Sequence, residues 1–214
     1  MPIFLNPIYF PNGYQRLSAA LLITAAILMG SGCNQPVDQQ DIFKATDVAG
    51  ANFARNFQLT DHSGQPRTLS DFKGSVVVLF FGYIHCPDIC PNTLSELATV
   101  MQRLGADAAK VQVLFVTLDP KRDTPAILAQ FVPSFNPKFI GLYGTPEQTA
   151  ETAKEYKLAV QKQPGKNKGN YTLDHSAGTY IYDTAGKLRL YANYGQGVEA
   201  LVADIRVLLG LAAR

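Results

Sequence analysis

Cysteine and net charge are both scarce in this chain of 214 residues. Three cysteines are too few for a fold held together by disulfides. With 19 Lys and Arg residues against 17 Asp and Glu residues, the chain has no basic excess for a nucleic-acid backbone, so nucleic acid is excluded as the expected partner. A hydrophobic content of 47% and a net charge of only +2 also exclude a disordered chain and predict a globular protein with a buried core.

The apolar run near the N-terminus, residues 17–29, is too short to cross a membrane. It has about 13 residues, against the roughly 20 of a spanning helix, which favours the core of a secretory signal peptide. Ser31 and Gly32 then precede Cys33, an arrangement that resembles the lipobox of bacterial lipoproteins. The resemblance implies cleavage before Cys33 and attachment of a lipid to its sulfur. The alternative is an uncleaved apolar anchor.

These features predict three parts of the chain: a lipoprotein signal peptide (1–32), a flexible tether (33–52) and a single domain (53–214). The tether is predicted because its residues are polar and show no clear period. Either interpretation of the leader places the domain outside the cytoplasm. We therefore expect an extracytoplasmic protein that is lipid-anchored to the cell membrane, on the periplasmic face if the source has two membranes.

The domain alternates between strand and helix patterns, which predicts an α/β sandwich with a mixed sheet. Hairpins are predicted at 56–69 and 177–194, and buried strands at 76–84, 111–118 and 139–143. Helices are predicted at 91–103, 124–132, from 145 onward and at 198–209. Residues 162–170 are rich in lysine and glycine and predict a mobile surface loop.

The other two cysteines, Cys86 and Cys90, lie in the segment HCPDICP between a buried strand and a helix. Open α/β sheets place their chemistry at this edge, and a helix N-terminus favours thiolate, so both thiols are predicted to react or to bind metal. On a helix, residues four apart have Cβ atoms about 5–6 Å apart, whereas a disulfide needs about 3.5–4.5 Å. The spacing favours a bridging metal and leaves a disulfide open. The alternative, two cysteines packed as small apolar residues, is disfavoured by the adjacent His85 and two prolines.

Three segments taken in order, FGYIHCPDICPNTLSEL, LDPKRDTP and LDHSAGTYIYD, resemble the Sco/SenC family of thioredoxin-like copper proteins. That family assists assembly of the dinuclear copper centre of cytochrome c oxidase. The resemblance extends over essentially the whole domain. It implies a thioredoxin-like three-layer sandwich with a mixed central sheet and an added N-terminal β hairpin. It also implies that Cys86, Cys90 and His175 bind copper, as Cu(I), Cu(II) or both.

The partners that this resemblance implies are the copper-accepting subunit of a respiratory cytochrome c oxidase and other periplasmic copper chaperones or thiol reductases. His175 is chemically suited to the site, because thiolates select Cu(I) and imidazole binds copper in either oxidation state. Two other histidines compete with it. His85 adjoins Cys86, and His62 lies in a turn where we expect solvent exposure.

Four residues are candidates for contacting the metal ligands without binding the metal themselves: Asp88, Asp119, Asp123 and His85. Asp119 and Asp123 follow the second buried strand, at the same sheet edge as the cysteines. They are equally well explained as turn and helix-capping carboxylates. The sequence offers no way to choose a role for Asp88.

The function predicted is that of a copper chaperone rather than an enzyme. The alternative is a thiol-disulfide oxidoreductase, in which Cys86 and Cys90 form a redox-active pair that keeps the cysteines of the oxidase copper site reduced. His175 separates the two functions, because metal binding needs it and simple disulfide exchange does not. A thiol peroxidase is disfavoured because the Thr-x-x-Cys pattern is missing before Cys86.

Overall fold

Strand β4, Val76–Gly82, lies at the centre of the fold, and all of its residues are buried. The fold is described from a computed structural model, in which residues 42–165 and 170–211 are described. Alternate residues of β4 belong to two separate hydrophobic clusters, one on each face of the sheet. A strand covered on both faces needs apolar side chains at every position, which explains the unbroken apolar run in the sequence.

The described residues form ten strands and four helices. The strands are β1 (Thr46–Asp47), β2 (Gln58–Asp61), β3 (Pro66–Thr68), β4, β5 (Val111–Thr117), β6 (Ile140–Tyr143), β7 (Val160–Pro164), β8 (Tyr171–His175), β9 (Thr179–Tyr182) and β10 (Leu188–Ala192). The helices are α1 (Ile89–Leu104), α2 (Pro125–Phe135), α3 (Pro146–Glu155) and α4 (Val198–Leu208). Short 3-10 helices span Leu69–Phe72 and Gly105–Lys110.

Eight strands form one mixed sheet in the order β1-β10-β9-β4-β5-β6-β2-β3, and β7 pairs with β8 in a separate two-stranded sheet. The pairs β4–β5 and β5–β6 are parallel. Helices α1, α2 and α4 contribute to the hydrophobic cluster on one face, and residues at the end of α3 contribute to the other. The predicted three-layer α/β sandwich, with its mixed sheet and N-terminal hairpin, is confirmed.

The helix starts follow local chemistry. Thr124 and Thr145 cap α2 and α3 through their side chains, as their positions before proline predict. Helix α1 begins at Ile89, two residues earlier than expected, and so includes Cys90. Pro91 is accommodated in this first turn because a backbone N–H there has no partner within the helix.

The predicted tether through residue 52 is wrong from residue 43 onward. Phe43 and Ala45 are buried, and β1 pairs with β10. The buried carboxylate of Asp204 accepts hydrogen bonds from the backbone N–H groups of Lys44 and Ala45, at 2.7 and 2.8 Å. These contacts join distant parts of the chain, so the polar local sequence did not reveal them.

The predicted signal peptide and Cys33 lie outside the described residues. Where the chain is described, none of its helices combines the length and the apolar character needed to cross a membrane.

The predicted loop at 162–170 is also partly wrong, because residues 162–164 belong to β7. This strand pairs antiparallel with β8, so that Val160 faces His175 and Pro164 faces Tyr171. No residue of either strand is fully buried. Strand β7, with the sequence VQKQP, lacks the apolar alternation by which a strand is recognised. Residues 166–169 lie outside the described part.

Candidate metal centre

Three segments of the chain meet at one edge of the sheet. Because β4 and β5 are parallel, the loops that follow them lie side by side, and Leu118 donates its N–H to the Gly82 carbonyl at 2.8 Å. Strand β9 runs antiparallel to β4 and begins at this edge, with Thr179 opposite Phe80. The fold thus brings the cysteine segment, the Asp119–Asp123 segment and the segment that contains His175 together.

Cys90 lies on the first turn of α1 and is fully buried. Burial raises the pKa of its thiol well above the usual range. A hydrogen bond with the Tyr83 backbone opposes this rise, and Cys86 and Asp123 add to it. Burial therefore opposes the thiolate character predicted for Cys90 in the metal-free protein. A metal that binds its sulfur must displace the proton.

Gly82 makes room for this sulfur at the end of β4. A Cβ atom on Gly82 would lie 2.8 Å from Cys90 Sγ and 2.9 Å from the Phe115 ring, both closer than real contacts allow. The last residue of the strand must be glycine for Cys90 to pack against it. This constraint links the cysteine directly to the hydrophobic core.

Cys86 precedes the helix and is half-buried. The helical spacing assumed from the sequence therefore does not apply to this pair, since only Cys90 lies on α1. Both thiols are free. Cys86 and His175 line a groove of about 370 Å³, together with Tyr83 and Asp88. Cys86 is the sulfur that this groove leaves accessible to a partner.

His175 ends strand β8 and faces Cys90. Its Nε2 lies 3.8 Å from Cys90 Sγ, and its Nδ1 lies 2.9 Å from the Ser176 carbonyl oxygen. Because a carbonyl only accepts hydrogen bonds, Nδ1 carries the proton and Nε2 keeps a lone pair directed at the sulfur. Ligand histidines in metalloproteins are commonly oriented by such a second hydrogen bond.

These three side chains are neighbours but are not yet arranged around an ion. Within the described ranges, no three His, Cys, Asp or Glu side chains already form a metal-binding group. The distance between Cys90 Sγ and His175 Nε2 nevertheless fits two bonds to one metal. With the bond lengths of zinc as a guide, about 2.3 Å to sulfur and 2.0 Å to nitrogen, an angle of about 120° places the two donor atoms about 3.7 Å apart. The observed 3.8 Å agrees with this value.

Asp123 supports the cysteine segment from behind. Its buried carboxylate accepts hydrogen bonds from the Ile84 N–H at 3.0 Å and from the Thr117 hydroxyl at 2.6 Å. Burial raises the pKa of Asp123. Its other oxygen lies 3.6 Å from Nδ1 of His85, whose side chain is half exposed. His85 therefore faces Asp123 and solvent, whereas His175 faces Cys90.

The remaining candidates have structural contacts. Asp88 is exposed beside the groove, where its carboxylate accepts a hydrogen bond from the Asn92 side chain. His62 was expected to be exposed, but it is half-buried, and its Nδ1 accepts the Gly141 N–H at 3.0 Å. It follows β2 and lies beside β6, whereas the cysteine segment follows β4.

Sequence reasoning missed two aromatic residues and an arginine near the site. The buried Tyr83 ring lies 6.2 Å from the His175 ring, edge to face. Arg122 and Tyr171 pack against each other beside Asp119. The segment LDPKRDTP contains Arg122, but nothing in the sequence pairs it with Tyr171, which is 49 residues away.

The chain is similar to known proteins. A family model described as SCO1/SenC matches residues 45–210. "Protein SCO2 homolog, mitochondrial" of Mus musculus is 39% identical over 153 residues, which cover 71% of this chain and 60% of that protein. The chain thus spans only about three fifths of that relative's length.

Solved structures are similar as well. The structure of Bradyrhizobium japonicum ScoI with copper bound is 39% identical, covers 72% of this chain and 97% of its own, and has a TM-score of 0.66. Solution structures of apo Sco1 from Thermus thermophilus are 36% identical, cover 78% of this chain and 96% of their own, and have a TM-score of 0.69. These similarities confirm the fold.

Proposed function

This chain belongs to the SCO1/SenC family, and we propose that it is a copper chaperone for the assembly of the copper centre of cytochrome c oxidase. In this proposal Cys86, Cys90 and His175 hold the copper. The ion is cargo, which the protein receives and then passes to the copper-accepting subunit of the oxidase. The copper-bound structure of the Bradyrhizobium japonicum relative supports copper as the metal.

The distance between Cys90 Sγ and His175 Nε2 carries the proposal. A soft sulfur and an unprotonated imidazole nitrogen face each other at the separation expected of two ligands to one ion. Cys86 completes the set by turning its side chain within the groove. Two sulfurs and one nitrogen suit Cu(I) and also bind Cu(II).

The positions of the donors suggest how copper is passed on. Cys90 is held in the core, while Cys86 lies at the groove, where a thiolate of the partner can reach the ion. Transfer then proceeds by ligand exchange: the partner's thiolate replaces Cys86 first, and Cys90 and His175 release the ion afterwards. An accessible ligand on one side of the ion is what stepwise exchange requires.

Metal analysis of the full-length chain purified in detergent tests the proposal. We expect one copper per chain, with sulfur-to-Cu(II) charge-transfer absorption in the oxidised form. A metal-free protein whose two cysteines cycle readily through a disulfide would contradict the proposal.

We also propose that Cys33 carries a lipid that anchors the protein on the extracytoplasmic side of the membrane. The proposal rests on Ser31, Gly32 and Cys33 after the apolar run. Mass spectrometry of the protein from the membrane fraction should find Cys33 as the lipidated first residue. An unprocessed N-terminus, or a mature terminus elsewhere, would contradict it.

A thiol-disulfide oxidoreductase is the second candidate function. It is favoured by the placement of Cys86 and Cys90, which are both free thiols and both pack at the same hydrophobic cluster. Cys86 would be the attacking thiol, since burial keeps Cys90 protonated. His175 would then be dispensable, and its replacement by alanine distinguishes the two candidates.

A further inference from the structure

A cluster of three side chains joins the β7–β8 hairpin to the loop that follows β5. The Nη1 of Arg122 donates a hydrogen bond to the Tyr171 carbonyl at 2.9 Å, and its Nε pairs with the Asp119 carboxylate. The Tyr171 hydroxyl donates to the other oxygen of Asp119 at 2.7 Å. The Arg122 guanidinium also lies 3.6 Å from the centre of the Tyr171 ring. Each of the three residues thus contacts the other two.

The cluster is largely shielded from water. The Arg122 side chain is 23% exposed and the Asp119 side chain 5%. Hydrogen bonds and cation–π contacts gain strength when they are desolvated. The planar guanidinium is suited to this place because it stacks on the ring while its edge binds the carboxylate and the carbonyl.

Besides this cluster, the hairpin contacts the domain at Leu173, whose backbone lies beside the Tyr83 side chain, and at His175, whose ring lies 6.2 Å from that of Tyr83. None of its described strand residues is fully buried, and Val160 is 40% exposed. Leu173 packs partly against the hydrophobic clusters. The cluster therefore supplies the main polar attachment where β8 begins.

The two ends of β8 contact different parts of the domain. Tyr171, in the cluster, is its first residue, and His175, opposite Cys90, is its last. The strand is stiffened by its pairing with β7 along its whole length. Displacement of Tyr171 would therefore move His175 as well.

We infer that Arg122 and Tyr171 form a latch, which holds the β7–β8 hairpin on the Asp119–Asp123 segment and so positions His175 opposite Cys90. Both are positioning residues, since neither contacts the ion in the proposed site. The inference rests on the proposed function in that it takes His175 as a copper ligand.

The test compares Arg122→Ala, Tyr171→Ala and the double variant in the full-length chain. Arg189→Ala is the matched control. Arg189 also pairs with an aspartate, Asp47 at 2.9 Å, and lies over an aromatic ring, that of Phe43 at 5.0 Å, but it is on β10. Tyr171→Phe, which keeps the ring and loses only the hydroxyl bond to Asp119, serves if either alanine variant fails to fold.

We expect each latch variant to weaken Cu(II) binding about tenfold or more, as removal of residues that orient a ligand commonly does. The loss in the double variant should be smaller than the sum of the two single losses, because the two side chains act through one contact. Cu(I) binding, which depends on the cysteines, should change little. In the metal-free variants the backbone amides of β8 should exchange hydrogen faster than in Arg189→Ala.

The outcomes separate the latch from the proposed function when His175→Ala is measured alongside. If His175→Ala loses Cu(II) affinity while the latch variants bind like Arg189→Ala, the latch is wrong and the ligand set stands. Faster exchange of β8 with unchanged Cu(II) affinity also overturns it, since the hairpin would be held without positioning His175. Unchanged Cu(II) binding in His175→Ala contradicts the proposed ligand set instead.

Discussion

The two sides of the candidate site are built differently. On one side, Cys90 is fully buried on α1 and packs at the end of β4, within the largest hydrophobic cluster. On the other side, His175 ends a strand in which no residue is fully buried. The sulfur side is part of the core, and the nitrogen side is attached to the domain chiefly by polar and stacking contacts.

This difference has a consequence for the metal. Segments with few buried apolar contacts open locally at a lower free-energy cost than the core does. We therefore expect the hairpin that carries His175 to open more readily than the first turn of α1, which holds Cys90. We expect the cysteines to determine how tightly Cu(I) is held and His175 to determine whether Cu(II) is held, which would let the copper be retained and released in steps.

The largest expected effect comes from the sulfur side. Cys86→Ser or Cys90→Ser should weaken Cu(I) binding by at least about 100-fold, or roughly 2.7 kcal/mol, because one of two soft ligands is lost. Competition with a Cu(I) chelator measures it. Cys33→Ser is the matched control, since it alters only the proposed lipid attachment. Full-affinity binding in either motif variant would show that the ligands lie elsewhere.

On the nitrogen side, His175→Ala should lose Cu(II) affinity and keep most of its Cu(I) affinity, because two sulfurs suffice for Cu(I) while Cu(II) needs more donors. Formation of the Cys86–Cys90 disulfide should be nearly unaffected. The matched control is His85→Ala, which removes the histidine nearest in sequence. If His85→Ala lost Cu(II) and His175→Ala did not, the roles of the two histidines would be reversed.

The core side can also be altered without touching a ligand. Gly82→Ala places a Cβ atom against Cys90 Sγ and Phe115 and should lower the free energy of unfolding by about 1–3 kcal/mol, the usual cost of overpacking. Copper affinity should fall with it, because the sulfur is displaced. Denaturant unfolding and chelator competition measure the two effects. Unchanged stability would show that the strand end is looser than the structure indicates.

The smallest effect on copper affinity is expected from a substitution of Asp61, which lies outside the site. Burial acts to raise the pKa of Asp61, but hydrogen bonds from Ser63, Gln65 and Arg67 outweigh it and lower the pKa to about 2. Because this pKa is lowered on folding, Asp61 stabilises the fold above about pH 4, and the stabilisation disappears as the pH falls towards 2.

Asp61→Asn should therefore cost about 1–2 kcal/mol at neutral pH and little near pH 2. Copper affinity at pH 7 should equal that of the wild type, since β2 and β3 lie at one end of the sheet order, whereas the cysteine segment follows the central strand β4. Unfolding curves across this pH range provide the measurement. A loss of stability that is equal at pH 2 and pH 7 would contradict the role assigned to the carboxylate.

The part of the site that contains the cysteines was predicted well from the sequence. Local sequence patterns predict buried strands and capped helices. Strands β4 and β5 were therefore predicted from their apolar runs, and the start of α2 from its proline. The same patterns placed Cys86 and Cys90 at the strand-to-helix turn. The raised pKa of Cys90 was not predicted, since it depends on how deeply the first turn of α1 is buried.

The exposed side was predicted poorly. Strand β7 is polar and mostly exposed, and the alternation in β8 extends over only five residues, so neither strand was predicted. His175 was selected only through the resemblance to a family. The contact between Arg122 and Tyr171 joins residues that are 49 positions apart, and such pairings follow from the fold rather than from any local pattern.

X-ray absorption at the copper edge tests the central claim most directly, namely that the segment after β4 supplies two sulfur ligands and the hairpin one imidazole. In the copper-loaded full-length chain we predict scattering from two sulfurs and one imidazole nitrogen. In His175→Ala the imidazole contribution should disappear while both sulfurs remain. Imidazole scattering that persists in His175→Ala, or a single sulfur in the unaltered chain, would contradict the account.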